Sequence, residues 1–265
     1  MEYITLNNGI KMPKIGLGIY ALNDENVIVK AIDDLGYRLI DTARMYGNEK
    51  ILGRAIKRCS VDRKDLFITT KVYGPDRGYK KTKEAIKDSL NNLGLNYIDL
   101  MLIHEPYKEY KEMYKALEES VKEGLVKSIG VSNFNKKQYL DLIRNCEIIP
   151  AINQVEAHIF YSRKELQKVL EENGTVMEAW SPLAAGKNNI FSNKILQEIG
   201  NKYNKTPAQI ALKYLLTRNM VVIPKSGNLD RLKQNINLFN FELSIDDIRK
   251  IETLEKKKSL FGWYD

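Results

Sequence analysis

The chain has 265 residues, of which 43% are hydrophobic and 29% charged, so it holds enough apolar material for a substantial core and is not a disordered polymer. Its formal charge of +8 reflects 42 basic against 34 acidic residues, but clusters such as Lys80-Lys81-Thr82-Lys83 and Lys256-Lys257-Lys258 lack interleaved aromatics, which argues against a nucleic-acid partner. With no apolar run of about 18 residues, no basic region leading an apolar signal core, and only Cys59 and Cys146 without close spacing, the expectation is a reduced, cytoplasmic protein free of membrane contact; a monomer is expected as well.

The sequence begins with a hairpin pattern around the turn Asn7-Asn8-Gly9. A first strand-like run, Lys14-Ile15-Gly16-Leu17-Gly18, is followed by helical spacing at Val27, Ile28, Ala31, Ile32 and Leu35. A second run, Arg38-Leu39-Ile40, ends in Asp41, with Tyr46-Gly47 five residues further on, and Ile51, Leu52, Ala55 and Ile56 then mark a helix. Asp65-Leu66-Phe67-Ile68-Thr69-Thr70 runs into Lys71, and Asp99-Leu100-Met101-Leu102-Ile103 runs into His104. Later runs end at Ser132-Asn133, at Gln154, at Trp180-Ser181 after Val176-Met177-Glu178-Ala179, and at Lys225-Ser226 after Val221-Val222-Ile223-Pro224. Apolar residues at offsets of three and four fill the intervals, Gly36, Gly94, Gly124 and Gly174 stand where helices need a left-handed close, and Thr206-Pro207 reads as an N-cap with proline in the first turn.

Eight strand and helix pairs behind a hairpin predict an α/β fold, a (β/α)8 TIM barrel forming one domain over residues 1–265. Two extra helices are expected, one around residues 194–203 after the seventh strand and one around residues 245–254. An open doubly wound sheet is the competing fold, but Gly16-Leu17-Gly18-Ile19-Tyr20-Ala21 lacks the third glycine of a dinucleotide fingerprint. A barrel builds its site on the C-terminal ends of its strands, where the polar residues just named fall. The only histidines, His104 and His158, have no metal-site spacing, so no metal centre is expected.

Taken together, Asp41-Thr42-Ala43-x-x-Tyr46-Gly47-Asn48-Glu49, Leu66-Phe67-Ile68-Thr69-Thr70-Lys71, Leu102-Ile103-His104, Gly130-Val131-Ser132-Asn133-Phe134, Asn153-Gln154-Val155-Glu156, Trp180-Ser181-Pro182-Leu183 and Ile223-Pro224-Lys225-Ser226 resemble the aldo-keto reductases over essentially the whole chain. The similarity is to microbial members of the type of the 2,5-diketo-gluconate reductases and to prostaglandin F synthase-like members. It implies a barrel that binds NADPH without a Rossmann domain and reduces an aldehyde or ketone to an alcohol. Asp41, Tyr46, Lys71 and His104 are then the catalytic candidates, with Tyr46 as the general acid and His104 holding the substrate oxygen.

The residues suit those roles. A phenol of unperturbed pKa ~10 can donate a proton to an alkoxide if a cation lies near, and one lysine at about 4 Å contributes roughly 4 kcal/mol at an effective dielectric of 20, so the expectation is a lowered Tyr46 pKa. The resemblance sets Ser132, Asn133 and Gln154 around the nicotinamide carboxamide, Trp180 on the ring with Ser181 and Leu183 beside it, and Lys225, Ser226, Arg231, Gln234 and Asn235 around the adenosine and its 2′-phosphate. Tyr20 and Glu105 are expected in the substrate pocket, Glu105 either turning toward it or pairing with a surface lysine; they and Gln234 depart from the commonest residues of the family at their positions. The C-terminal aromatics Phe261, Trp263 and Tyr264 either wall the pocket or pack on the barrel. Two competing functions are a Schiff-base aldolase using Lys71, which would need a neutral amine, and a non-catalytic NADPH-binding regulatory subunit.

Overall fold

The computed structural model describes residues 1–262. Eight parallel strands follow one another around a ring: β3 (Leu17–Gly18), β4 (Leu39–Asp41), β5 (Phe67–Val72), β6 (Ile98–Ile103), β7 (Val126–Ser132), β8 (Ile152–Glu156), β9 (Val176–Trp180) and β10 (Val221–Val222). Almost every residue in them is buried, as strands flanked by core on one face and helices on the other must be. The ring closes where Ile15 pairs in parallel with Val222, Gly16 N–H donating to Val222 O at 2.9 Å and Val222 N–H to Lys14 O at 3.0 Å. Closure removes the sheet edges. β10 stops early because Pro224 has no N–H to continue the ladder.

The N-terminal hairpin, β1 (Tyr3–Thr5) and β2 (Lys11–Pro13), lies across one end of the ring, with Gly9 in its turn at φ 84°. Asn7 Nδ2 donates to Ile149 O and Pro150 O at 3.1 and 3.2 Å, and Asn8 Nδ2 donates to Lys127 O at 3.1 Å and Ser128 Oγ at 2.9 Å. These amides satisfy backbone groups at the starts of β7 and β8, while Leu6 and Met12 pack with Leu39, Phe67, Leu100 and Val221 inside the ring. That end is plugged with apolar side chains, which leaves the opposite end for polar chemistry.

Helices α1 (Glu25–Asp33), α2 (Glu49–Arg58), α3 (Tyr79–Leu93), α4 (Tyr110–Lys122), α5 (Lys136–Ile143) and α6 (Lys164–Glu172) follow the first six barrel strands. After β9 comes the additional α7 (Lys194–Tyr203), then α8 (Pro207–Thr217); α9 (Leu229–Ile236) follows β10, and α10 (Ile245–Glu252) is the second addition. Both additions fall where the sequence pattern puts them. The cap of α8 is reciprocal: Thr206 Oγ1 accepts from Gln209 N–H at 3.3 Å, Gln209 Oε1 accepts from Thr206 N–H at 2.9 Å, and Pro207 opens the helix without an unpaired donor. Several strands run on into the polar residues that end their apolar segments, Lys71 inside β5 and Gln154 inside β8 among them. Their polar side chains stay in the sheet because each finds buried partners.

At Gly130 in β7, a Cβ would stand 2.4 Å from Ile152 O and 2.9 Å from Leu102 Cδ2, backbone and core that cannot both move aside. Gly130→Ala is therefore expected to cost about 1–3 kcal/mol in urea-induced unfolding, the range for overpacking a closed core. A variant as stable as the parent would show that β7 and β8 can separate without loss.

Candidate active site

Deep in the open end of the barrel, Lys71 has a side chain with 0% exposure, and its ammonium has three hydrogens and three acceptors. It donates to Asp41 Oδ1 at 2.6 Å, to Thr42 O at 2.9 Å and to Tyr46 Oη at 3.5 Å. Burial is the largest influence and opposes the Lys71 charge, but Asp41, Tyr46 and Glu178 together outweigh it and the pKa is raised, so the group is an ammonium. Asp41 Oδ2 in turn accepts from Gln154 Nε2 at 2.8 Å, and the same nitrogen donates to Glu178 Oε2 at 2.9 Å.

Tyr46 ends a short 3-10 turn, Arg44–Tyr46, that follows β4 and closes on Gly47 at φ 68°. The turn is held from below: Thr42 Oγ1 donates to Asn48 Oδ1 at 2.6 Å, and Asn48 Nδ2 donates to Ile19 O at 2.7 Å. Because Tyr46 Oη accepts from Lys71, its own hydrogen is left to point away from the ion pair. The lowered pKa expected from the lysine alone is not found. Burial raises the phenol pKa more than Lys71 lowers it, and Asp41 cancels part of the lysine's field. The physical reason is that a buried phenolate loses its hydration, a cost that a proximity argument omits.

His104 extends β6, its N–H donating to Val72 O at 2.9 Å, and its ring lies 5.7 Å from that of Tyr46 at an interplanar angle of 78°. Burial, then the Lys71 charge, pulls its pKa down to about 3, so the imidazole is neutral. Its Nδ1 is buried without a partner among the described residues. Asn133 Nδ2 donates to His104 O at 3.1 Å, and Asn133 Oδ1 accepts from Trp180 Nε1 at 2.7 Å, which ties the ends of β6, β7 and β9 together. Asn133 adopts φ 63°, a left-handed conformation that asparagine tolerates better than most residues.

These groups open into a cavity of about 1150 Å³. Asp41, Tyr46, His104, Ser132, Asn133, Gln154, Trp180, Ser181, Leu183 and Lys225 all line it, as do Tyr20 and Glu105 at the mouth. Tyr20 is 62% exposed and meets the Tyr46 ring edge-on at 5.0 Å. Ser226, Arg231, Gln234 and Asn235 do not line the cavity; they sit on the adjoining loop and on α9, where Asn228 caps the helix by accepting from Arg231 N–H at 2.9 Å. The Arg231 side chain is exposed, and its guanidinium has no partner among the described residues.

Sequence pattern missed Met45, Phe191 and Glu178. Phe191 lies in an irregular stretch of 3-10 turns, Ala184–Ser192, between β9 and α7, and such a long connection on a barrel is itself a sign of a site. Met45 lies one residue before Tyr46 and gave no separate signal; Glu178 looked like strand interior. Of the C-terminal aromatics, Phe261 lines the cavity with its ring 5.2 Å from Trp180, while Trp263 and Tyr264 lie outside the described residues. A strap holds Phe261 there: Glu156 accepts from Ser259 Oγ at 2.6 Å, from Leu260 N–H at 2.8 Å and shares a proton-mediated contact with His158 Nε2 at 3.0 Å. Lys187 Nζ adds a bond to Leu260 O at 2.7 Å.

The neutral His104 has a consequence for acid stability. An unfolded histidine takes a proton as the pH falls below 6.5, whereas the folded one resists until about 3, so stability is lost across that window as the pH falls. His104→Gln should remove up to one proton from the uptake on unfolding near about pH 5, flattening the dependence by up to about 1.4 kcal/mol per pH unit. Urea titrations of both forms that fall with identical slopes would contradict a buried neutral imidazole.

Residues 9–256 match the model of the aldo/keto reductase family. The chain is 43% identical over 259 residues to a glyoxal reductase of Bacillus subtilis strain 168, covering 96% of this chain and 93% of that protein. It is 41% identical over 263 residues to the methylglyoxal reductase DkgA of Escherichia coli strain K12, covering 97% and 94%. The crystal structure of an aldo-keto reductase from a Medee basin deep-sea metagenome library superposes with a TM-score of 0.95 at 41% identity, over 99% of this chain and 98% of that one. The chain belongs to the aldo/keto reductase family, whose members use NADPH, and is itself an oxidoreductase that reduces carbonyl compounds.

Proposed function

We propose that Tyr46 is the proton donor in reduction of a small aldehyde or ketone, with Lys71, Asp41 and His104 completing the catalytic set. The observation that carries this reading is the buried chain from Asp41 through Lys71 to Tyr46 Oη, with steps of 2.6 and 3.5 Å, ending at the floor of a cavity. The Lys71 ammonium stabilises the phenolate that remains after donation, and Asp41 holds the ammonium in place. Neutral His104 offers an N–H to the carbonyl oxygen without delivering a full charge. Lys71 paired to Asp41 is protonated, which argues against a Schiff-base aldolase, and a complete proton-donating set argues against a non-catalytic subunit.

NADPH would supply the hydride. Several features fit it: Gln154 presents an amide to the cavity, Trp180 offers a flat face at its wall, and Arg231 and Lys225 carry exposed cations suited to phosphate oxygens. Ser132 and Asn133 would meet the carboxamide, while Ser226, Gln234 and Asn235 would meet the adenosine. The substrate would enter past Tyr20, Met45, Phe191 and Phe261, an apolar rim with Glu105 beside it. Neutral carbonyls of the glyoxal and methylglyoxal kind, named by the relatives, suit such an entrance better than anionic ones. Two unpaired cysteines fit a reducing cytoplasm.

Tyr46→Phe should lower kcat for carbonyl reduction by roughly 10²–10⁴-fold while NADPH affinity stays near that of the parent, because only proton donation needs the hydroxyl. Turnover retained within about tenfold would remove Tyr46 from the acid role. Arg231→Ala should narrow the preference for NADPH over NADH by about 1–3 kcal/mol in fluorescence titrations. An equal loss for both cofactors would instead make Arg231 a general support of α9.

A further inference from the structure

Glu178 belongs to none of the roles above, yet it is fully buried at the floor of the site. It lies on β9 opposite Gln154 of β8 in the strand register, and its Oε2 accepts from Gln154 Nε2 at 2.9 Å. The other hydrogen of that nitrogen goes to Asp41 Oδ2 at 2.8 Å, on the far side of the barrel. Both N–H groups of the Gln154 amide are therefore spent on carboxyl groups. Its Oε1 receives no hydrogen bond among the described residues, and the side chain lines the cavity.

We propose that Glu178 is a positioning residue for the cofactor: with Asp41 it anchors the Gln154 amide at two points, so that Gln154 Oε1 is turned to the cavity as a fixed acceptor for the N–H of a nicotinamide carboxamide. This rests on the NADPH reading above. Asp41 selects which end of the amide faces the acids, because a carbonyl oxygen against its carboxylate would be repelled. One anchor still allows the amide plane to turn about its last bond; the second removes that freedom. The role asks for an acceptor at residue 178 and not for a charge. Two carboxylates within 3 Å of one nitrogen, with a single ammonium nearby, cannot both stay ionised in a dry core. Burial, then the Asp41 charge, pushes the Glu178 carboxyl up to about 8, so it holds a proton at neutral pH. Its Oε1 has no partner among the described residues, so an amide nitrogen placed there displaces no bond.

The test compares NADPH with its reduced 3-acetylpyridine analogue, whose acetyl group keeps the carbonyl but lacks the amide N–H. Dissociation constants come from quenching of protein fluorescence on the full chain. The parent should bind NADPH more tightly than the analogue. Glu178→Leu should lose about tenfold in NADPH affinity but no more than about twofold for the analogue, which has no N–H to offer Gln154. Glu178→Gln, which retains an acceptor, should recover the preference and guard against misfolding of the leucine variant. Equal losses for both cofactors in Glu178→Leu, or a glutamine variant that binds like the leucine one, would overturn the role and leave the NADPH assignment standing. A parent protein that shows no quenching with NADPH would overturn that assignment, and this role with it.

Discussion

A lysine ammonium with no access to water stands at the centre of this molecule, and much of the open end of the barrel is arranged around it. Removing such an ion from solvent costs several kcal/mol, and only close partners offset the loss. Its three acceptors come from one stretch of chain, Asp41 to Tyr46, so a single buried charge fixes the end of β4, the following backbone and the turn that carries the phenol. Through Asp41 and Gln154 the same network reaches across the ring to β8 and β9, strands that do not pair with β4. An apolar replacement of the ion pair could fill the same space, but it would leave no field to support a phenolate.

The two ends of the barrel divide the work. At the hairpin end, apolar side chains fill the ring and two asparagine amides close off backbone groups. At the other end, the strand termini supply polar atoms and the connections supply walls. His104, Asn133 and Trp180 illustrate how tightly these are coupled: one asparagine side chain bonds both the backbone beside the imidazole and the indole across the cavity. Displacing any one of the three strand ends moves the other two.

The strand order and both extra helices were legible because the barrel buries its strands on two faces, which writes them as unbroken apolar runs separated by helical spacing. Asp41, Tyr46, Lys71 and His104 were legible as positions because each stands at or near the end of such a run. The direction of the Tyr46 shift was not, since spacing gives proximity to a cation but says nothing of the water excluded around the phenol. Glu178 escaped notice for a related reason: in the buried middle of a strand, an inward carboxyl has the same sequence signature as one on the surface, and only its contact with Gln154 distinguishes it. Phe191 sits in a stretch with no period at all, where side-chain direction depends on a series of left-handed residues, Ala184, Ala185, Asn188 and Asn189. At the two alanines, which have no local preference for it, such a conformation is set by tertiary contacts.

The seam between Ile15 and Val222 joins chain positions far apart in sequence. During synthesis the first barrel strand must therefore wait, with one side uncovered, until more than two hundred further residues have left the ribosome. The strap that Glu156 fastens through Ser259 and Leu260 emerges later still, so Phe261 reaches Trp180 only after the ring has had the chance to close. Folding of the ring and the shaping of the cavity mouth are thus separated in time. A chain lacking the strap would lack the wall of the cavity that Phe261 supplies beside Trp180.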